Sequence, residues 1–393
     1  MIELTSNKCS LPHKVKDAIK SVVGQGQVNL HEPRFDGNEK AYLMECLEST
    51  FVSSVGKYVD EFEKSLCEFT GSKYAIAVVN GTSALHIALI LSGVEENDEV
   101  LIPSLSFVAT ANAVSYCGAV PHFIDVDEET LGISNNSLEQ YLSEVSEQID
   151  GKCINKKTGR VIRAIVPMHT FGNSVAIEGI LKTANDHKIN LVEDAAESLG
   201  SFYKGVHTGT FGLLGALSFN GNKIITTGGG GAILTNNKTL ATKAKHITTT
   251  AKLKHQWNFK HDQVAYNYRM PNINAALGCA QLEDLPSILR NKKLLFKKYK
   301  DKFNTIENIN LFQENEGTSS NYWLQTLVLD KSHAHNLDDI LKLTNDSGYM
   351  TRPAWNLLHT LQPYKDCPRA SLTVSKSLKK RILNIPSSTY NFK

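Results

Sequence analysis

From residue 74 to residue 235 the chain alternates two patterns of apolar and polar positions. Short, mostly apolar runs stand at 74–80, 99–104, 120–126, 163–168, 189–194, 216–219 and 232–235. The segments SALHIALILSG, SLEQYLSEVSEQI and AIEGILKTANDH lie between them, and TLATKAKHITT follows the last; each repeats its apolar residues at helical spacing. Nearly continuous apolar strands alternating with helices predict parallel strands buried on both faces, because the crossover helices cover both sides. The expected class is therefore α/β: a mostly parallel sheet flanked by helices. CINKKTGRVI (153–162) reads as a hairpin inserted into this unit, turning at Lys157–Thr158–Gly159.

The pattern changes on either side. Residues 1–70 read as helices joined by the Pro- and Gly-containing LHEPRFDGNE. From residue 272 a long helical stretch runs to 303, followed by NYWLQTLVLD, the helix LDDILKLTNDSG and a tail containing Pro and Trp. The two ends together predict a smaller α+β domain, giving boundaries at 1–50 (small domain), 51–271 (large domain) and 272–393 (small domain). A chain of 393 residues supports two domains, since single cores stop growing near ~250–300 residues.

Composition narrows the classes. At 41% hydrophobic and 21% charged, with formal net charge +2, the chain is ordinary globular protein with no sign of a polyanion partner. Its densest basic runs, KKLLFKKYKDK and SKSLKKR, alternate with apolar positions and read as the wet faces of helices, not nucleic-acid patches. The seven cysteines form no CxxC pair and no zinc spacing, so neither a disulfide framework nor a metal is expected, and the cytoplasm is the expected compartment. The N-terminal segment breaks its apolar residues with charges and Pro12 and reads as neither signal peptide nor membrane span.

Open α/β sheets bind ligands outside the carboxyl ends of their strands. Three such ends are notable. The first strand runs into NGTSALHIAL, where Gly81 permits a tight turn and Thr82 and Ser83 open a helix; this is an anion site or, taken alone, an ordinary helix cap. INLVED ends on Glu193–Asp194, a carboxylate that alone need only cap the next helix. Ser218 ends another strand, Lys223 stands in the loop after it, and TTGGGG turns the chain back. Any single loop lysine is normally just solvated. Together, a phosphate holder, a carboxylate and an amine on one sheet edge are what pyridoxal phosphate requires: a helix N-terminus for the phosphate, a carboxylate for the ring nitrogen, and a lysine for the Schiff base.

Nine segments then occur in one order: FVSSVGKYVDEFE, VVNGTSALHIAL, IPSLSFVATANAV, FIDVD, VPMHTFGN, VEDAAESLG, SFNGNKIITTGGGG, YNYRMPNINAALGCAQLE and TRPAW. In these segments, from about residue 28 onward, the chain resembles the DegT/DnrJ/EryC1/StrS sugar aminotransferases, fold type I pyridoxal-phosphate enzymes with a seven-stranded sheet. The resemblance implies that Lys223 forms the Schiff base and carries the proton of transamination, and that Asp194 pairs with the ring nitrogen. Phe107 and Ala196 would lie on the two ring faces, and Glu197, where relatives often carry Gln or His, near the ring hydroxyl. Gly81, Thr82, Ser83 and Ser218 would hold the phosphate. Asn267 would reach that phosphate from a second subunit, which implies a homodimer with shared sites. Relatives usually read TTGEGG after the lysine, whereas Gly229 stands here in place of the glutamate.

The segments LHEPRFDGNE, FVSSVGKYVDEFE, CINKKTGRV, GTFGLLGALSFNGNKIITTGGGG and TRPAWNLLHTLQPYKDC look like the branch that aminates C-4 of nucleotide-linked 4-keto-6-deoxy sugars, the branch that includes legionaminic acid enzymes. They imply transfer from L-glutamate to a UDP-linked, alternatively GDP-linked, keto sugar carrying a 2-acetamido group, for an O-antigen, capsule or nonulosonic acid. A 3-keto sugar is a further alternative. Ser53, Ser54, Lys57, Arg269 and Arg352 are expected to hold the diphosphate or the glutamate carboxylate, and His169 and His359 the sugar. Each also has a plain structural reading as a cap, a surface pair or a buried histidine. Related dehydratases carry histidine in place of the lysine, which Lys223 argues against. A non-catalytic cofactor-binding regulator is disfavoured by intact Lys223 and Asp194. The absence of GxGxxG and GxSxG motifs argues against dinucleotide dehydrogenases and serine hydrolases.

Overall fold

The computed structural model describes residues 10–388. All seven apolar runs form strands of one sheet: β1 (Tyr74–Val78), β2 (Glu99–Pro103), β3 (Val120–Ile124), β4 (Ile162–Ile165), β5 (Asn190–Asp194), β6 (Leu214–Ser218) and β7 (Gly231–Thr235). Their spatial order is β1-β7-β6-β5-β4-β2-β3. Strands β6, β5, β4, β2 and β3 pair in parallel, and β7 runs antiparallel to both of its neighbours.

The two-residue period of a strand divides the core. Along β1, Ile76 and Val78 face one cluster, with Val100, Ile102, Ala164, Val192, Ala216 and Ile233. Helices α4 (Gly81–Leu91), α5 (Val108–Tyr116) and α8 (Lys238–Thr248) cover that side. Ala75 and Ala77 face the other cluster, with Leu217, Ala232 and Leu234, under α3 (Lys57–Thr70) and α9 (Asn272–Phe303). Helix α4 is buried nearly all round, which explains why its sequence is apolar on every face.

The remaining helices are α1 (Leu11–Val23), α2 (Glu39–Ser49), α6 (Asn135–Val145), α7 (Ile177–Asp186), α10 (Leu337–Asp346) and α11 (Thr373–Lys379). A second sheet of β8 (Ile309–Leu311), β9 (Gln325–Leu329), β10 (Arg352–Pro353) and β11 (Ile382–Ile385), in the order β8-β9-β11-β10, is antiparallel throughout. Its core joins Val15 and Ile19 of α1 to Leu295, Tyr299 and Phe303 of α9 and to Leu327, Leu383 and Ile385.

The expected hairpin is present, with Ile154 bridging Val161 in antiparallel, and a second hairpin precedes it. Lys152–Asn155 pairs with Ser146–Ile149, so the helix read through residue 149 stops at Val145. Asp150 (φ 47°) and Gly151 (φ 76°) supply the left-handed turn that a two-residue hairpin needs. Lys157–Thr158–Gly159 forms the expected turn, closed by Asn155 and Arg160, and leads into β4.

Candidate active site

The carboxyl ends of β1, β5 and β6 meet at one cavity of about 330 Å3. Gly81, Thr82, Phe107, Asp194, Ala196, Glu197, Ser218 and Lys223 all line it.

At one end, α4 starts against the tip of β6. A Cβ on Gly81 would lie 2.7 Å from Ser218 Cβ, and one on Gly231 would lie 2.5 Å from the Asn80 carbonyl carbon. These two glycines are what let the β1–α4 turn sit on the β6–β7 edge. Gly229 faces no such contact: its nearest neighbour would be the Val79 carbonyl oxygen at 3.8 Å. The cap of α4 is Asn80, whose Oδ1 accepts from the Ser83 amide at 2.7 Å.

Asp194 lies across the cavity, buried. Its Oδ2 accepts from Thr110 Oγ1 at 2.7 Å and its Oδ1 from the Ala196 amide at 3.2 Å. Burial pushes this carboxyl above its ordinary range, and the Thr110 and Ala196 donors offset only part of the shift. Such a carboxylate at a cavity wall favours a cationic N–H as partner. Glu197 is also buried; its Oε2 accepts from the Phe171 amide at 2.9 Å, and its Oε1 lies 3.3 Å from Lys223 Nζ. Burial pushes Glu197 up to about 7, against the opposing pull of Lys223. Lys223 itself is mostly buried, its side chain 12% exposed.

Other lining residues were given no role: Asn80, Met168, Asn220, Asn222 and Trp355, all inside the nine segments, and Trp323, outside them. Trp355 packs on Phe171 (centroids 4.9 Å apart) and near Phe107 (6.3 Å), and so forms a wall from the segment that follows β10. Its place in the TRPAW segment was the one available hint.

The expected substrate residues lie elsewhere. His169 is fully buried, with Nε2 3.0 Å from Glu193 Oε2 and Nδ1 accepting from the Val175 amide, so it does not face the cavity. His359 is held by Ser104 Oγ at 2.7 Å and packs near Phe123. Arg269 is buried in an ion pair with Glu63 at 2.7 Å. Within this chain all three are engaged by other residues, and none of them lines the cavity. Lys57 pairs with Glu45 in a separate cleft near Phe51 and Asn272. Ser53 and Ser54 lie in the loop before α3, and Arg352 is tied to Asn345 and the Thr351 carbonyl. Ser83 and the exposed Asn267 line a cleft that adjoins the cavity through Asn80 and Thr82.

A helix N-terminus beside two hydroxyls, a buried carboxylate short of donors and a lysine beside a second carboxylate match the three functional ends of pyridoxal phosphate. The protein is a pyridoxal-phosphate-dependent sugar aminotransferase of fold type I. It belongs to the DegT/DnrJ/EryC1/StrS aminotransferase family, whose model matches residues 33–390. It is 34% identical to GDP-perosamine synthase of Vibrio cholerae, covering 92% of this chain and 94% of that one. It is 35% identical to UDP-4-amino-4,6-dideoxy-N-acetyl-beta-L-altrosamine transaminase of Campylobacter jejuni, over 70% of this chain and 68% of that one. The crystal structure of the aminotransferase TlmJ from Streptoalloteichus hindustanus superposes with a TM-score of 0.82 at 26% identity, covering 92% of this chain and 94% of that one.

Among the described residues, no cluster of three or more His, Cys, Asp or Glu suits a metal ion, and no helix is long and apolar enough to cross a membrane.

Proposed function

We propose that this enzyme moves the amino group of L-glutamate to C-4 of a nucleotide-linked 4-keto-6-deoxy-hexose, making an amino sugar for a surface polysaccharide or nonulosonic acid. The observation that carries this reading is Lys223 Nζ, 3.3 Å from Glu197, lining the same cavity as Asp194 and the start of α4. The relative whose name specifies a 4-amino-4,6-dideoxy sugar supports C-4 and the 6-deoxy position. The motifs favour UDP, but the match to GDP-perosamine synthase spans nearly both whole chains, so GDP is placed first.

Roles follow from the geometry. The Gly81 and Thr82 amides, with the Thr82 and Ser218 hydroxyls, would hold the phosphate; the Ser83 amide already serves Asn80. Asp194, oriented by Thr110, would hold the ring N–H, with Phe107 and Ala196 on the ring faces and Glu197 by the ring hydroxyl. When bound, pyridoxal phosphate supplies a protonated ring that accepts the electron pair freed as a C–H bond beside nitrogen breaks. Lys223 Nζ would take that proton and return it to the carbon on the other side of the nitrogen. The wall of Trp323, Trp355 and Phe107 keeps water from the exchange.

A homodimer completes the proposal. Asn267 stands outside its own cavity, where it would serve a partner's phosphate, and Ser53, Ser54 and Lys57 would meet the partner's substrate. Exposed apolar side chains support a covered surface: Val55 at 66%, and Trp257 and Phe259 at 75% each.

The test is the absorbance of the loaded enzyme. L-Glutamate should convert the cofactor band to the amine form, and one of the GDP- or UDP-linked 4-keto-6-deoxy sugars should restore it. A band that glutamate leaves unchanged overturns the donor. Restoration by neither sugar overturns the acceptor.

A further inference from the structure

Lys223 has a floor. Its Nζ lies 4.0 Å from the ring centroid of Trp323, an indole that is itself buried and lines the cavity. Trp323 is held from three directions, once through its indole and twice through its backbone. Its Nε1 donates to the Asn222 carbonyl at 2.6 Å, on the residue just before the lysine. Its amide donates to Asn321 Oδ1 at 2.8 Å, and Asn321 Nδ2 donates onward to the carbonyls of Glu197 and Leu199, each at 2.9 Å. Its carbonyl accepts from Lys292 Nζ at 2.8 Å.

Lys292 is fully buried on α9, and its second hydrogen bond goes to the Ser387 carbonyl. Burial pulls its pKa well below the ordinary lysine value. A buried amine held by two carbonyls leaves little freedom to the backbone it grips. Trp323 is thus fastened to the small domain on one side and to the lysine's own loop on the other.

A lysine side chain carries much rotamer freedom, and an indole face is the strongest aromatic partner for an ammonium. We propose that Trp323 is a positioning residue for Lys223: its face holds the amine at the cavity wall while the amine is not linked to cofactor, and its Nε1 bond to Asn222 keeps face and lysine loop in register. The inference rests on the reading of Lys223 as the cofactor-linked base.

Trp323→Phe and Trp323→Leu separate the parts, since both lose the indole N–H and only phenylalanine keeps a ring face. Two rates depend on Lys223: the rate at which stripped enzyme regains the cofactor band when pyridoxal phosphate is added, and the single-turnover rate of cofactor conversion by L-glutamate. Trp323→Leu should slow both by about tenfold, with Trp323→Phe within about threefold of wild type, and the KM for the keto sugar should stay within about twofold. If Trp323→Leu does not fold, Trp323→Met supplies the apolar, non-aromatic side chain. Equal rates in the aromatic and non-aromatic variants would overturn the proposal, and so would a change confined to the KM of the keto sugar. The regain of the cofactor band needs no substrate. It therefore still tests Trp323 if glutamate proves not to be the donor.

Discussion

Glu193 and Asp194 are neighbours at the tip of β5, both buried, and they face opposite sides of the sheet. Glu193 is saturated by the fold. Its Oε1 accepts from the Phe211 and Gly212 amides at 2.7 and 2.8 Å, and its Oε2 from the Gly209 amide at 2.7 Å and His169 Nε2 at 3.0 Å. Asp194 receives only a threonine hydroxyl and one longer amide bond, and it lines the cavity. The difference separates scaffold from function: a buried carboxylate supplied with every donor it can use ties loops together, whereas one left short at a cavity wall is kept for a ligand.

Removing the amine on the open side should have the largest effect. Lys223→Ala should fold, bind cofactor more weakly and lose its lysine-linked absorbance. Its turnover should drop by about a thousandfold or more, and near-normal turnover would sink the mechanism. The adjacent pair should then part company. Asp194→Asn should lose turnover by at least about a hundredfold while its stability shifts by no more than about 1 kcal/mol. Glu193→Gln turns an amide group toward N–H donors and should cost about 2–4 kcal/mol of stability, with turnover of the folded protein little changed. Melting curves and kinetics on the two variants decide it; equal losses in both properties would erase the distinction.

Glu197 sharpens the comparison through pH. An unfolded glutamate releases its proton near 4.5, whereas buried Glu197 keeps its own until about 7. Between those values the folded chain binds more protons, so its stability falls as pH rises through the window. Cofactor-free wild type should lose a few degrees of melting temperature across this range, a component that Glu197→Gln should lack. The smallest effect is expected at Gly229→Glu, which restores the usual residue into open space and should move stability by no more than about 0.5 kcal/mol. Gly231→Ala, forced to within 2.5 Å of Asn80, should cost about 1–3 kcal/mol.

What the sequence made legible was local. The seven strands are short apolar runs, and helix α9 keeps its periodicity from Asn272 to Phe303, so periodicity finds them without knowledge of their neighbours. The cavity's lysine, carboxylates and helix start each close a strand, so one rule about strand ends gathers them. The contacts of the two histidines and the arginine were not legible, because their partners stand elsewhere in the chain: Glu193 for His169, Ser104 for His359 and Glu63 for Arg269. Nothing periodic announces such pairs. Trp323 and Trp355 escaped for the same reason, since they reach the cavity from more than a hundred residues beyond Asp194.

Those two tryptophans also set an order of events in the cell. Ribosomes deliver the chain from its N-terminus, so the helix start at Gly81, Asp194 and Lys223 are all made well before the two indoles that wall the cavity. If those groups hold the cofactor as proposed, all of them are made while one side of the cavity is still missing. Tight capture of the vitamin-derived cofactor should therefore report that synthesis has passed residue 355, and chains cut short before Trp323 should be expected to let it go.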